Sequence, residues 1–136
     1  MKIYLSGGIT GLTLEESSEW RKQVKNELKG LVEIFDPTMY YNYDTKTEFD
    51  SEREVRDFEL YHLRNSDIVI VNFNAPNSLG TCAELTLANE YRIPVIGLNE
   101  NKNQLHPWLT ECVNKMFYKM DTLIEYIKFY YIERIL

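Results

Sequence analysis

The sequence predicts a three-layer α/β fold built around a mostly parallel sheet. Segments with the patterns of strands and helices alternate along the chain, as they do in βαβ units. The central strand is predicted at 68–71, where four consecutive β-branched residues indicate a strand covered on both faces. With 136 residues the chain has the usual length of a single domain, which we assign to 1–136.

The other elements are predicted from hydrophobic spacing and from the residues that begin and end them. The first helix begins at a capping box made by Thr13 and Glu16, and Gly30 ends it. The prediction comprises strands at 2–6, 31–35, 68–71, 93–98 and 115–119 (the last at a sheet edge), and helices at 13–28, 51–65, 81–91, from 106, and at 121–136.

A long segment without a regular period, 38–50, separates the second strand from the second helix. Loops of this length inside compact domains are often lids. The segment contains four aromatic residues, Tyr40, Tyr41, Tyr43 and Phe49. These rings are suited either to stacking on a nucleobase or to filling a small satellite core or an interface, and both interpretations stay open.

The composition excludes several classes of function. A net charge of −6 argues against binding to duplex nucleic acid, although backbone dipoles can bind a small nucleotide on an acidic protein. Two cysteines do not make a disulfide framework, and no cluster of residues has the spacing of metal ligands. The sequence shows no leader and no apolar run approaching 18 residues, so we expect a cytoplasmic protein that needs neither membrane, metal nor cofactor.

Glu84 follows the central strand and the loop after it. The right-handed crossover rule places the glycine-rich loop 7–11 and the segment 78–84 at the same edge of the sheet. Glu84 has two interpretations on spacing alone. It is either the last residue of a capping box that begins at Thr81, or a carboxylate at a crevice that attacks the anomeric carbon of a sugar.

Three segments of the chain together resemble the nucleoside 2-deoxyribosyltransferase superfamily. They are 3–11, 66–72 and 78–85, and the last contains the specific pattern Ser-x-Gly-Thr-x-x-Glu-Leu. The likeness extends from residue 1 to about residue 120. It implies a flavodoxin-like (Rossmann-like) three-layer sandwich with a five-stranded sheet, a homo-oligomer whose sites a neighbouring subunit completes, Glu84 as the nucleophile and Tyr4 as the residue that orients it.

Within that superfamily, Ser78 resembles the branch of 2'-deoxynucleoside 5'-phosphate N-hydrolases. Transferases of free nucleosides have an aspartate six residues before the nucleophile, whereas a hydroxyl there can donate to a phosphate. The resemblance also implies a phosphate site on the first loop, although Thr10 stands where that branch has an arginine. The implied substrate-binding residues at this end are Gly7, Gly8, Ile9, Gly11, Ser78 and Gly80.

The remaining implied positions concern the sugar and the base. The superfamily has an aspartate eight residues before Asp67; Glu59 stands there, and Asp57 is the alternative. Tyr41 is assigned to the base. His106 either reaches a phosphate in a neighbouring subunit or caps the turn before Pro107.

The resemblance therefore implies an enzyme that cleaves the N-glycosidic bond of a (deoxy)nucleoside or its 5'-monophosphate. Hydrolysis and (deoxy)ribosyl transfer to another base both stay open. The alternatives are a module that binds or sequesters a nucleotide without turnover, and a flavodoxin-like interaction domain.

Overall fold

The computed structural model describes residues 1–40 and 49–133 and has a five-stranded, fully parallel sheet. The strand order is β2-β1-β3-β4-β5, so β1 and β3 are neighbours and β5 lies at an edge. The α/β fold predicted from the sequence is confirmed. The strands are β1 (Lys2–Gly7), β2 (Glu33–Phe35), β3 (Ile68–Asn72), β4 (Val95–Leu98) and β5 (Lys115–Phe117).

Helices cover both faces of the sheet and make two hydrophobic cores. One core packs α1 and α5 against the sheet, and the other packs α2, α3 and α4. Every residue of β3 is buried, as the apolar run at 68–71 predicts. The helices are α1 (Leu14–Glu27), α2 (Glu52–Arg64), α3 (Leu79–Glu90), α4 (Pro107–Glu111) and α5 (Met120–Tyr126), which continues as a π-helical segment, Ile127–Ile132.

The start of α1 follows the prediction closely. The Glu16 backbone N–H donates to Thr13 Oγ1 at 3.1 Å, and the Thr13 backbone N–H donates to Glu16 Oε1 at 3.0 Å. This reciprocal pair is the predicted capping box. Gly30 has a φ of +78°, a conformation that favours glycine where the chain leaves the helix.

In residues 1–40 and 49–133 no helix has both the length and the apolar composition needed to cross a membrane.

Candidate active site

Glu84 lies inside α3, on the side of the helix that faces the carboxyl end of β1. Its Oε1 accepts a hydrogen bond from the Ser6 hydroxyl at 3.3 Å. The predicted start of α3 at Thr81 is wrong, because Ser78 caps the helix and the Thr81 backbone N–H donates to Ser78 Oγ at 3.3 Å. The capping-box interpretation of Glu84 is therefore also wrong, since this residue lies in the second turn.

Burial determines the charge state of Glu84. It is the largest influence on the pKa of this carboxyl and raises it from 4.5 to about 7. The negative charge of Glu59 raises the pKa further, whereas Tyr4, Arg21 and Ser6 lower it. At neutral pH the side chain is accordingly divided between the acid and the carboxylate.

Tyr4 lies on β1 with no exposed surface, stacked on Phe35 with ring centroids 5.3 Å apart. Burial, and then the charges of Glu84 and Glu59, hold its pKa well above the usual range, so the phenol keeps its proton. The hydroxyl is near enough to Glu84 to lower the pKa of that acid. Among the described residues it reaches no partner with the geometry of a full hydrogen bond.

Glu59 and Asp57 both lie on α2, but in different surroundings. Glu59 is half-buried, and burial raises its pKa to about 7, while the charge of Arg21 lowers it and that of Glu52 raises it. Asp57 is exposed and pairs with Arg56 at 3.2 Å and Arg53 at 3.6 Å. Of the two acids, Glu59 is the one whose charge acts on both Glu84 and Tyr4.

Two glycines of the first loop have a packing reason to be glycine. A Cβ on Gly8 would lie 2.4 Å from the Cβ of Ala75, and one on Gly7 would lie 3.0 Å from Trp20 Cζ2. The loop after β1 therefore packs directly on the loop after β3, which is the proximity predicted from the crossover rule.

Two of the other implied residues of the 5' end, Gly11 and Gly80, lie beside open space. A Cβ on Gly11 or Gly80 would meet no atom within 4 Å, and Ile9 is half-buried. Ser78 Oγ accepts from Thr81 Oγ1 at 3.0 Å as well as from the Thr81 backbone N–H. As an acceptor in both bonds, Ser78 keeps its own hydroxyl proton for donation.

The structure describes only part of the aromatic segment. Tyr41 and Tyr43 lie outside the described residues. Tyr40 stacks on Phe35 with ring centroids 5.1 Å apart. Its ring also makes an edge contact with Phe58, the residue before Glu59, at a centroid distance of 5.3 Å. His106 is exposed and caps α4, because its Nδ1 accepts from the Trp108 backbone N–H at 3.1 Å.

Arg21 was not predicted to belong to the site, yet it is 1% exposed and acts on Glu84, Glu59 and Tyr4 through its charge. The spacing of its position on α1 could have indicated its burial. Residues 21, 24 and 28 are spaced for one face of a helix, and Val24 and Leu28 of that face are fully buried.

Two further features lie away from these acids. An open cavity of about 660 Å³ lies between α1 and the ends of β3 and β4, and neither Glu84 nor Glu59 lines it. Within the described part of the chain, no three His, Cys, Asp or Glu side chains are grouped so that they could hold a metal ion.

No family model and no curated protein matches this sequence. Solved structures do match its fold. A conserved protein from Enterococcus faecalis V583 aligns with a TM-score of 0.79 and 16% identity, over 93% of this chain and 96% of that one.

Two other matches have named activities. A 2-deoxyribosyltransferase from the psychrotolerant bacterium Bacillus psychrosaccharolyticus has a TM-score of 0.69 and 22% identity, over 90% of this chain and 96% of its own. The CMP N-glycosidase of Clostridium botulinum has a TM-score of 0.64 and 16% identity, over 96% of this chain and 100% of its own. The chain therefore has the flavodoxin-like fold of these proteins.

Proposed function

We propose that this protein cleaves the N-glycosidic bond of a (deoxy)nucleoside or its 5'-monophosphate, with Glu84 as the nucleophile. One observation carries the proposal: two carboxyl groups with pKa values raised to about 7, those of Glu84 and Glu59, interact at the end of β1 beside a protonated tyrosine. Two acids whose pKa values both lie near neutrality are suited to chemistry that needs one carboxylate and one carboxylic acid.

The chemistry divides between these groups. Ionised Glu84 attacks C1' as the bond from C1' to the base nitrogen breaks, which leaves the sugar esterified to the enzyme. Ser6 and Tyr4 hold the attacking carboxylate, and Glu59, in its protonated form, donates a proton to the departing base or a hydrogen bond to a sugar hydroxyl. Water, or the nitrogen of a second base, then attacks C1' and releases Glu84 as a carboxylate.

Recognition of the 5' end belongs to the start of α3 and the first loop. The first backbone N–H groups of a helix have no partner within the helix and favour an anion. Ser78 keeps a hydroxyl proton there, and the open space beside Gly80 leaves room for a phosphate. These features support a 5'-monophosphate, whereas Thr10 in place of an arginine favours a free nucleoside.

The solved structures with this fold support both outcomes of the second step. One is named a 2-deoxyribosyltransferase and another a CMP N-glycosidase.

We further propose that a second copy of the chain completes the site. Leu79, next to Ser78, is 86% exposed, and Trp108, next to the α4 cap, is 78% exposed, so both offer apolar surface to such a neighbour.

Base release measured by chromatography tests the proposal. Wild type and Glu84→Ala are incubated with a panel of nucleosides and 5'-monophosphates, each with and without a second free base. Glu90→Ala, which removes an exposed glutamate of the same helix, is the matched control. We expect release by wild type and the control and none by Glu84→Ala; a new nucleoside formed only with added base would identify a transferase. No release from any substrate would refute the proposed function and favour the binding module.

A further inference from the structure

The guanidinium of Arg21 lies beside the proposed site and has no part in the chemistry described above. Its Nη2 donates to the Gly7 carbonyl at 3.2 Å, and its Nη1 donates to the Ser17 carbonyl of the same helix. Its Nε lies 3.4 Å from Asp36 Oδ1, and its Cζ lies 4.6 Å from the centre of the Trp20 ring. The side chain therefore joins α1 to the ends of both β1 and β2.

The contact with Gly7 connects Arg21 to the nucleophile. Gly7 follows Ser6, whose hydroxyl donates to Glu84 at 3.3 Å. Gly7 is also closely packed, since a Cβ on it would lie 3.0 Å from Trp20 Cζ2 and 3.3 Å from the Asn72 carbonyl oxygen. Two hydrogen bonds and one peptide bond therefore link Arg21 to Glu84, so the guanidinium supports the strand end that holds the nucleophile.

Asp36 neutralises the positive charge of Arg21 only in part. That carboxylate is shared, because Lys25 Nζ lies 2.7 Å from its second oxygen. Glu84 from α3, Glu59 from α2 and Tyr4 from β1 also act electrostatically on the guanidinium, and Glu52 acts in the same way on Glu59. Arg21 lowers the pKa of Glu84 and of Glu59, against the effect of burial.

We propose that Arg21 is a positioning residue for the reaction: through Gly7 and Ser6 it holds the Glu84 carboxylate in place, and its buried positive charge favours the ionised form of that carboxylate. This inference rests on the proposed function for its catalytic meaning. A guanidinium suits the task because it stays charged when buried and its fork reaches two strand ends at once.

The pH dependence of kcat/KM separates this role from mere support of the fold. Arg21→Met removes the charge, so the acid limb should move to higher pH by at least about 0.3 pH units, a twofold change in the acid-dissociation constant. Arg21→Lys restores the positive charge without the fork of the guanidinium. Its acid limb should therefore return toward that of wild type, while its kcat should remain below that of wild type. Lys22→Met is the matched control, since it removes an exposed cation of the same helix that pairs with Glu19 and not with Asp36.

Asp36→Asn should move the acid limb of kcat/KM in the opposite direction, and it tests the inference if Arg21→Met does not fold. Asparagine still accepts from the Thr38 backbone N–H, as Asp36 Oδ1 does at 2.9 Å, but it no longer neutralises Arg21. The acid limb should then move to lower pH. An unmoved limb in both Arg21→Met and Asp36→Asn, or a shift in the same direction in both, overturns the inference.

A titration that needs no turnover distinguishes this failure from failure of the proposed function. The side-chain carboxyl of Glu84 is followed by ¹³C NMR in wild type and the two variants, with Glu84→Gln used to assign its signal. We expect its midpoint to rise in Arg21→Met and to fall in Asp36→Asn, whether or not the protein releases a base. Unchanged midpoints would overturn the role of Arg21 even in an active enzyme.

Discussion

Replacement of Glu84 by glutamine should stabilise the folded protein at alkaline pH and not at acidic pH. Burial raises the pKa of this carboxyl from 4.5 to about 7, so ionisation disfavours the folded state relative to the unfolded chain. The difference corresponds to about 3 kcal/mol, at about 1.4 kcal/mol for each pH unit. Part of the side chain remains accessible to solvent, so this figure is an upper bound.

The sign of the effect follows from the direction of the pKa change. Below about pH 4.5 Glu84 is protonated in both the folded and unfolded states, and its contribution to stability is complete. This contribution is lost as the pH rises through about 7, where the folded protein must release the proton. Glutamine resembles the protonated acid at every pH and still accepts a hydrogen bond from Ser6, so it avoids this loss.

Urea unfolding of wild type and Glu84→Gln at about pH 4 and about pH 8 measures the effect. We expect the variant to have a free energy of unfolding about 1–3 kcal/mol higher at the alkaline pH, and nearly the same value at the acidic pH. Glu125→Gln, which neutralises an exposed glutamate on α5, is the control and should show no such gain. A gain of equal size at both pH values, or a loss at alkaline pH, would refute the reasoning.

Three further predictions concern activity and the loops. Because Glu84 must be ionised to attack C1' and Glu59 must keep its proton to donate it, the pH profile of kcat/KM should rise and then fall, with its maximum at about pH 7; a profile flat from pH 5 to 9 would contradict this. Ser78→Asp keeps an N-cap but places a negative charge where the phosphate is proposed, so KM should rise at least about tenfold for 5'-monophosphates and much less for nucleosides; Ser78→Asn is the neutral control. Gly8→Ala should lower the free energy of unfolding by about 1–3 kcal/mol, because its Cβ would overlap Ala75. The Cβ of Gly80→Ala would meet no atom within 4 Å, so this variant should not destabilise the protein. Thermal or urea unfolding of both variants measures the difference.

Much of the fold follows from patterns that depend on near neighbours in the sequence. The apolar run at 68–71 is buried as predicted, and the Thr13–Glu16 capping box forms because its partners are three residues apart. The start of α3 was predicted too late for a related reason. Ser78 and Thr81 are both good N-cap residues, and each is followed three residues later by a residue that can pair with it. Only the hydrogen bond from the Thr81 backbone N–H to Ser78 shows that the helix begins after Ser78.

The site could be predicted less completely, because its charges come from five separate segments. The superfamily resemblance supplied Glu84, Tyr4 and Glu59, whose interactions the structure describes. Arg21 was missed because arginine on a helix is ordinarily solvated, and nothing nearby in sequence indicates its ion pair with Asp36. The neighbouring subunit and the role of Tyr41 stay predictions.

The stereochemistry of methanolysis tests the central claim, attack of Glu84 on C1', most directly. With methanol as acceptor and a β-nucleoside or its 5'-monophosphate as substrate, ¹H NMR identifies the anomer of the methyl glycoside, which, unlike the free sugar, does not interconvert between anomers. Two successive displacements through an ester of Glu84 predict the β-anomer, with no product from Glu84→Gln. The α-anomer would show direct attack by the acceptor and contradict the account.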